Sequence, residues 1–297
     1  MSSLGKFQTE VLRQDAVSQP VGTRWARLER VLIHVALVLL CVAVLFPVVY
    51  AVLTSLRPSR MALASNMFDG NWYFGHYQRL LSTSRFLRYI LNSVINSVGG
   101  AALTTLLAAM AGYAFARFRF PGQNLLLGLI LGLMMLPGLT NLIPLYKIAS
   151  DLKIRDTYLV MILTYAAYGV PFGIWVLKNF FESIPRELEE AAAVDGATPF
   201  QALWRVVVPI ATPGLVSVFL LNFVYNWNDF LTALILLSSS TMKTATVGLF
   251  DFQNQLSGNE NELLATACVI IMIPGVLLFL IARRAFFQSM VEGAVKG

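Results

Sequence analysis

Charge is scarce in this sequence of 297 residues. Asp, Glu, Lys and Arg make up only 13% of it, whereas hydrophobic residues make up 57%. Soluble domains carry about 25% charged residues, so the composition argues against a soluble globular protein. It also argues against intrinsic disorder, which needs low hydrophobicity and high net charge. The net charge of +6 is better explained by membrane loops on the cytoplasmic side than by nucleic-acid binding.

Cysteine and histidine are almost missing, with two residues of each. Cys41 and Cys268 both fall in apolar runs, which implies neither a disulfide framework nor a metal cluster. His34 and His76 are predicted to lie on opposite sides of a membrane, so no His, Glu and Cys cluster forms. We expect no catalytic residue, metal or cofactor in this chain, and a membrane-embedded enzyme is disfavoured.

A phosphate-binding loop is missing as well. Such a loop needs the pattern Gly-x-x-x-x-Gly-Lys-Ser/Thr, because its backbone amides hold the phosphates. The sequence contains no such run. If the chain takes part in an ATP-driven process, the ATPase must therefore be another chain.

Long apolar runs are what the sequence does have. Six stretches without Asp, Glu, Lys or Arg are each at least 20 residues long, which is the length that a transmembrane helix needs. Their centres lie near Leu39, Thr104, Leu133, Ala167, Phe219 and Met272. The sequence therefore predicts an all-α membrane protein with a six-helix transmembrane domain over residues 31–286. Residues 1–30 and 287–297 are predicted to be cytoplasmic tails.

The distribution of Lys and Arg predicts the orientation. Arg24, Arg27 and Arg30 directly precede the first apolar run, and positive residues favour the cytoplasmic side. With the N-terminus inside, 13 of the 22 Lys and Arg residues fall in cytoplasmic segments. We therefore expect a multi-pass protein of the cytoplasmic (inner) membrane with both termini in the cytoplasm.

One long cytoplasmic loop is predicted over residues 181–209, between the fourth and fifth runs. Pro185 fits the first turn of a short helix, and the Glu residues that follow suit its N-terminal end. Gly196 is placed to end this helix. A helix of roughly ten residues is marginal in water by itself, so it needs a surface to pack on.

A second helix should follow at once. Thr198 and Gln201 have the spacing of a capping box, with Pro199 at the first helical position. Pro209 and Pro213 are expected to kink the chain as it enters the fifth run.

The first of these helices carries an apolar face. Leu188, Ala191 and Ala192 have the i, i+3, i+4 spacing that places them on one side. This face could dock on a partner protein, or it could pack on the transmembrane bundle of the same chain. Lipid is a poorer candidate, because helices that bind lipid use Lys, Arg and large apolar residues rather than Glu and Ala.

The loop resembles the EAA motif of the permease subunits of binding-protein-dependent ABC importers. Glu190-Ala191-Ala192 is followed by Gly196, four positions after Ala192, and then by Val206-x-Val208-Pro209. Val206 and Val208 stand where Ile and Leu are more usual. Other segments resemble the carbohydrate permeases of this family, of the MalG type: Asn92-Ser93, Tyr113–Arg117, Leu136-Pro137, Ile143–Leu145, Asp156–Tyr158, Pro171-Phe172, Ser183–Ala197, Trp227–Phe230 and Gly293–Gly297. The resemblance covers about residues 30 to 297.

This resemblance implies the type I ABC importer permease fold, in which the first short helix of the loop is a coupling helix that docks on an ATPase. The ATPase-coupling residues would be Leu188, Glu190, Ala191, Ala192, Asp195, Gly196 and Pro209. The implied partners are a second homologous permease of the MalF type, two ATP-binding cassette ATPases that hold ATP and Mg, an extracytoplasmic solute-binding protein and membrane lipid.

Polar residues inside the apolar runs are candidates for a substrate pathway. Asn222, Asn226 and Asp229 share one helix face, and Asn92 and Asn96 form a similar pair on the second run. Such groups suit a hydrated sugar pathway, but they equally suit hydrogen bonds between helices. For Asp229 three roles stay open: a pathway or packing residue, a boundary residue, or a proton site.

The function that follows is that of half a translocation pathway for a carbohydrate, a disaccharide or oligosaccharide, which works by alternating access. An outer segment would contact the binding protein through Asn254, Gln255, Ser257, Gly258 and Asn259. The alternative is a secondary transporter driven by an ion gradient. It predicts intramembrane acids or inverted repeats, and Asp229 is the one acid available.

Overall fold

The computed structural model describes residues 23–58, 72–255 and 261–294, and the secondary structure within them is helical. The α-helices in chain order are α1 (Thr23–Ser55), α2 (Gly75–Leu81), α3 (Ser84–Arg117), α4 (Gln123–Gly132), α5 (Leu142–Asp151), α6 (Tyr158–Ser183), α7 (Glu187–Val194), α8 (Pro199–Ala202), α9 (Val208–Ile210), α10 (Thr212–Asn228), α11 (Leu231–Leu236), α12 (Ala245–Gln255) and α13 (Asn261–Ala294). The all-α class predicted from the composition is confirmed.

The chain divides into two units between Leu53 and Thr54. Helix α1 makes up the described part of the first unit. Its residues 28–47 are exposed and almost all apolar, as expected for a helix whose solvent is lipid.

The second unit is built on the parallel pair α3 and α6, with α10 packed on both. Small residues let the backbones approach closely: Ala101 and Ala108 are fully buried on α3, and a Cβ on Gly173 of α6 would lie 2.7 Å from the Cβ of Ala108. Membrane helices associate through such small residues, because lipid removes the hydrophobic drive that large ones supply in water.

Two of the predicted spans are not continuous helices. The third apolar run breaks into α4, a 3₁₀ turn at Leu133–Met135, a second turn at Gly138–Asn141, and α5. Pro137 lies at the break, where its missing amide and fixed φ interrupt the helix. The sequence predicted a span here but not its interruption.

The fifth run bends by 79° between the segments Pro199–Ile210 and Thr212–Asn228. A π-helical turn at Leu203–Val207 precedes the bend. The kink predicted from Pro209 and Pro213 is thereby confirmed. By length and composition, four described helices can cross a bilayer, or five if the bent pair is one span. The count of six spans stays a prediction.

The bundle has two distinct ends. The C-terminal end of α3 and helix α7 lie at one, which we call the loop end, and Tyr158 with Lys243 lie at the other, which we call the far end. Between Gln123 and Asp156 the chain passes from the loop end to the far end, since Gln123 bonds to the carbonyl of Phe115 and Asp156 to that of Leu236.

Candidate functional site

The short helix predicted in the 181–209 loop is α7. Three acidic side chains, Glu187, Glu189 and Glu190, lie in its first turn, where the helix dipole favours negative charge. The prediction for Pro185 is wrong. This residue lies two positions before the first helical residue, because the chain leaves α6 in an extended conformation.

Gly196 ends α7 as predicted. Its φ of 86° lies in the left-handed region, where a Cβ would be strained. The amide of Ala197 donates to the carbonyl of Ala192 at 2.9 Å, and the amide of Gly196 donates to that of Ala193 at 3.0 Å. These bonds satisfy carbonyls at the helix end and fix the direction in which the chain leaves.

The capping box at the start of α8 is confirmed. Thr198 Oγ1 accepts from the backbone amide of Gln201 at 3.3 Å, and Gln201 Oε1 accepts from the amide of Thr198 at 2.9 Å. Pro199 occupies the first helical position. The local start and stop signals of this loop therefore act as the sequence indicated.

Glu189 is the acidic residue of α7 that faces the bundle. Its Oε1 accepts from Arg117 Nε at 2.5 Å, and its Oε2 accepts from Tyr113 Oη at 2.6 Å. The side chains of Arg117 and Glu189 are only 8% and 13% exposed. We call Glu189, Arg117 and Tyr113 the Glu189 clamp. It fastens α7 to the end of α3.

The clamp is not among the contacts predicted from the sequence, which indicated Glu190 instead. The spacing offers one signal: Glu189 and Ala192 are three residues apart and so share a helix face. In the structure both residues are half-buried. The partner could not be read from the sequence, because Arg117 lies 72 positions before Glu189.

The opposite face of α7 is exposed. It carries Glu190, Ala191 and Val194; Leu188, beside this face, and Asp195, directly after α7, are exposed too. Val194 is 88% exposed, and Leu188 is 43% exposed. The face predicted from Leu188, Ala191 and Ala192 is therefore divided, since Ala192 turns toward the bundle. Pro209, on α9, is also exposed. The loop end thus presents an acidic helix with apolar side chains that the described residues leave exposed.

A cavity of about 620 Å³ lies between α6, α10 and the break in the third run. The residues that line it are Leu133, Met134, Leu136, Gly138, Asn141, Ala167, Tyr168, Gly169, Pro171, Phe172, Leu221, Asn222 and Tyr225. Its polar groups are amides and tyrosine hydroxyls, which can both donate and accept hydrogen bonds. Tyr225, which lines the cavity from α10, is 66% exposed.

Asn222 is the pathway candidate that lines this cavity. It is 5% exposed, and its Nδ2 donates to the carbonyl of Val218 at 2.8 Å. A Cβ on Gly169 would lie 2.1 Å from Asn222 Oδ1 and 2.8 Å from Thr104 Cγ2. Gly169 is therefore required for α6 to pass so close to Asn222 and Thr104, and Thr104 of α3 lies directly behind the cavity wall.

Asn92 lies at the far end and not at the cavity. Its Nδ2 donates to the carbonyls of Thr241 and Lys243, both at 2.9 Å, and its Oδ1 accepts from Tyr158 Oη at 2.6 Å. The residue is fully buried. These contacts correspond to the second interpretation given above, in which the amide joins helices and loops.

Asn96 and Asn226 are buried between helices. Asn226 Nδ2 lies 3.5 Å from the carbonyl of Ser97, and it is the atom that a Cβ on Gly100 would meet at 2.9 Å. Within the described part of the chain, neither amide atom of Asn96 has a hydrogen-bond partner. Both residues lie outside the lining of the cavity.

Asp229 follows α10 and caps α11. Its carboxylate accepts from the amide of Ala233 at 3.1 Å and from the hydroxyl and amide of Thr232 at 2.9 and 3.4 Å. Tyr165 Oη also donates to it at 3.1 Å. The carboxylate thus satisfies the free amides at the start of a short helix.

The predicted contacts with a binding protein fall at the end of α12 and just beyond it. Ser257, Gly258 and Asn259 lie outside the described residues. Asn254 and Gln255 lie in the last turn of α12. These assignments stay predictions.

Comparison with known proteins identifies the family. The family described as "Binding-protein-dependent transport system inner membrane component" matches residues 105–292, which is more than half of the chain. The chain belongs to this family. It is therefore a multi-pass membrane permease, a component of a transport system and not an enzyme.

Two relatives align with this permease over most of their length. The "Trehalose transport system permease protein SugB" of Mycobacterium tuberculosis is 35% identical over 281 residues, which is 93% of this chain and 98% of the relative. The "Diacetylchitobiose uptake system permease protein NgcG" of Streptomyces coelicolor is 30% identical over 265 residues, which is 89% of this chain and 88% of the relative.

The fold of the permease matches that of a chain in the crystal structure of "a bacterial ABC transporter involved in the import of the acidic polysaccharide alginate". The TM-score is 0.79 at 24% identity, over 90% of this chain and 100% of that chain. This match shows the ABC importer permease fold that the EAA motif predicted.

Proposed function

We propose that this permease forms half of the translocation pathway of an ATP-driven importer for a disaccharide or oligosaccharide. A second, homologous permease supplies the other half. Two ATPase subunits bind ATP and Mg, and an external binding protein delivers the sugar. The relatives that align over most of the chain support the substrate class, because they are named for trehalose and diacetylchitobiose.

One observation carries the proposal: α7 is fastened to the bundle on one face and exposed on the other. Glu189 holds the inner face to α3, while Val194 on the outer face is 88% exposed and Leu188 beside it is 43% exposed. A helix of eight residues does not hold its shape in water alone. Its exposed acidic and apolar face fits a docking site for an ATPase, and α7 is then the coupling helix.

Docking of an ATPase on α7 fixes the orientation of the permease in the membrane. The loop end faces the cytoplasm, where ATP is available, and both termini lie on that side. The far end faces outward and receives the binding protein, with the segment after α12 as a contact. ATP-driven closure of the ATPases moves the coupling helix and opens the permease pair outward, and hydrolysis returns it inward.

In the proposed importer, the sugar binds in the cavity between α6, α10 and the break in the third run. Its volume of about 620 Å³ lies in the range of roughly 300–1,000 Å³ of small-molecule sites. Asn141 and Asn222 offer amide groups to sugar hydroxyls, and Tyr168 and Tyr225 offer ring faces and hydroxyls. Tyr225 is largely exposed, so the second permease completes the cavity at this ring.

The first test is a mild-detergent purification of the chain from its own membranes, with mass spectrometry of what accompanies it. We expect an ATPase, a second permease and a solute-binding protein. Glu190→Lys should remove the ATPase, because it reverses a charge on the exposed docking face. Asp151→Lys is the matched control, since it reverses an exposed charge at the far end.

Two results would overturn the proposal. One is recovery of the chain alone under conditions that keep other membrane complexes intact, together with sugar transport by the chain alone in liposomes. That result would favour the ion-driven transporter. The other is an ATPase that stays bound to Glu190→Lys as firmly as to the control variant.

A further inference from the structure

The coupling helix has a charged joint to the transmembrane bundle. Arg117 and Glu189 form an ion pair that is almost fully shielded from solvent, and Tyr113 donates to the second carboxylate oxygen. A shielded charged pair resists separation, since breaking it leaves an uncompensated charge in a medium of low dielectric constant. The joint therefore transmits a pull as well as a push.

Two further hydrogen bonds reinforce this joint. Arg117 Nη2 donates to the carbonyl of Ile184 at 3.0 Å, and Arg186 Nη2 donates to the carbonyl of Ala116 at 3.2 Å. The first bond ties α3 to the end of α6, and the second ties the start of α7 back to α3. The coupling helix is thus held at both its first turn and the residue before it.

Helix α3 carries any movement of this joint to the cavity. It is one continuous helix of 34 residues from Ser84 to Arg117. Thr104, in its middle, lies behind the cavity wall at Gly169. Asn92, near its other end, bonds to the far-end loops at Thr241 and Lys243. One rigid element therefore connects the coupling helix, the cavity wall and the outer loops.

We propose that the Glu189 clamp transmits the movement of the ATPases to α3, so that Glu189 is a positioning residue for coupled transport and not an ATPase contact. The inference rests on the proposed function. It assigns the two neighbouring acids different roles: Glu190 binds the ATPase, and Glu189 passes the movement on.

The test compares Glu189→Gln with Glu182→Gln in the complete importer reconstituted in liposomes. Glu182 is a matched control, because it also pairs with a basic residue at the loop end, but in an exposed i, i+4 pair with Lys178. We expect Glu189→Gln to retain its ATPases and to hydrolyse ATP. The sugar imported per ATP should fall by roughly fivefold or more, the scale of a typical coupling between sites. Glu182→Gln should match the wild type.

Tyr113→Phe is the second variant. It keeps the ion pair and removes one hydroxyl, so it should fold even if Glu189→Gln does not, and it should lower the import per ATP by a smaller factor. Unchanged import per ATP in both variants would overturn the inference. So would a parallel loss of ATPase binding and transport, because that pattern belongs to a docking or folding residue. A wild-type chain without ATPases would instead defeat the proposed function itself, before any variant is compared.

Discussion

Tyr158 Oη donates a hydrogen bond of 2.6 Å to Asn92 Oδ1 and so joins the first turn of α6 to α3 at the far end. The same amide donates to two carbonyls of the loop before α12. Three segments that are distant in the sequence thus meet at one buried side chain.

Replacing Asn92 should destabilise the fold. Asn92→Leu leaves the carbonyls of Thr241 and Lys243 and the hydroxyl of Tyr158 without their partner, at a cost of about 1–3 kcal/mol per buried group. The thermal unfolding midpoint in detergent should fall by roughly 2–4 °C for each kcal/mol lost, the slope of larger domains. Asn228→Leu is the control, because that exposed amide bonds only within its own helix. Equal midpoints for the two variants would contradict this structural role.

Replacing Gly173 should separate α3 from α6. In Gly173→Ala the new methyl group lies 2.7 Å from Ala108 Cβ, which is fixed to the backbone and cannot turn aside. We expect a loss of about 1–3 kcal/mol from this overpacking. Gly128→Ala meets nothing within 4 Å and should be neutral or slightly stabilising, since Ala favours the helix. Thermal unfolding of both variants checks the difference, and a tolerated alanine at 173 would refute the close packing.

Substitutions of Tyr225 test whether the sugar passes through the cavity. Its ring is largely exposed, so Tyr225→Ala should fold normally but lose a stacking surface for sugar. We expect transport at low sugar concentration to fall by roughly three- to tenfold, whereas Tyr225→Phe keeps the ring and most of the activity. Val224→Ala, exposed on the same helix but outside the cavity lining, is the control. If Tyr225→Ala transports like Val224→Ala, the sugar does not use this cavity.

Substitutions of Asp229 distinguish an ATP-driven importer from an ion-driven transporter. Asn is as good a helix cap as Asp, so Asp229→Asn should keep α11 capped and transport within about twofold of the wild type. Asp229→Ala should cost about 1 kcal/mol, because the amide of Ala233 and the hydroxyl of Tyr165 lose their acceptor. A proton-carrying acid would behave differently. In that case Asp229→Asn would fold and bind sugar but would not transport it.

The parts of the site that follow local rules could be predicted from the sequence. The turn at Gly196 and the capping box at Thr198 each depend on residues within five positions of one another, and both are confirmed. The bend near Pro209 is local as well, since it depends on the missing amide of proline. These signals place α7 but do not say what it touches.

The contacts between distant segments could not be predicted in the same way. Positions 189 and 190 are both glutamate. Only the rotation of α7 about its axis, relative to α3, decides that Glu189 meets Arg117. The sequence allows Asn92 two roles, because an amide on an apolar helix can bind sugar or form hydrogen bonds between helices. Its partners lie about 150 positions away, at Thr241 and Lys243. The choice between those two roles needs the tertiary fold.

The 79° bend before α10 also has a consequence for how that helix would sit in a bilayer. If α10 crosses the membrane upright, the segment Pro199–Ile210 lies almost flat along the membrane surface. Trp204 on this segment is 37% exposed, and indole rings favour the boundary between lipid and water. In that arrangement the flat segment resists displacement of α10 along the membrane normal, so a movement of α7 would tilt the bundle rather than draw it through the membrane.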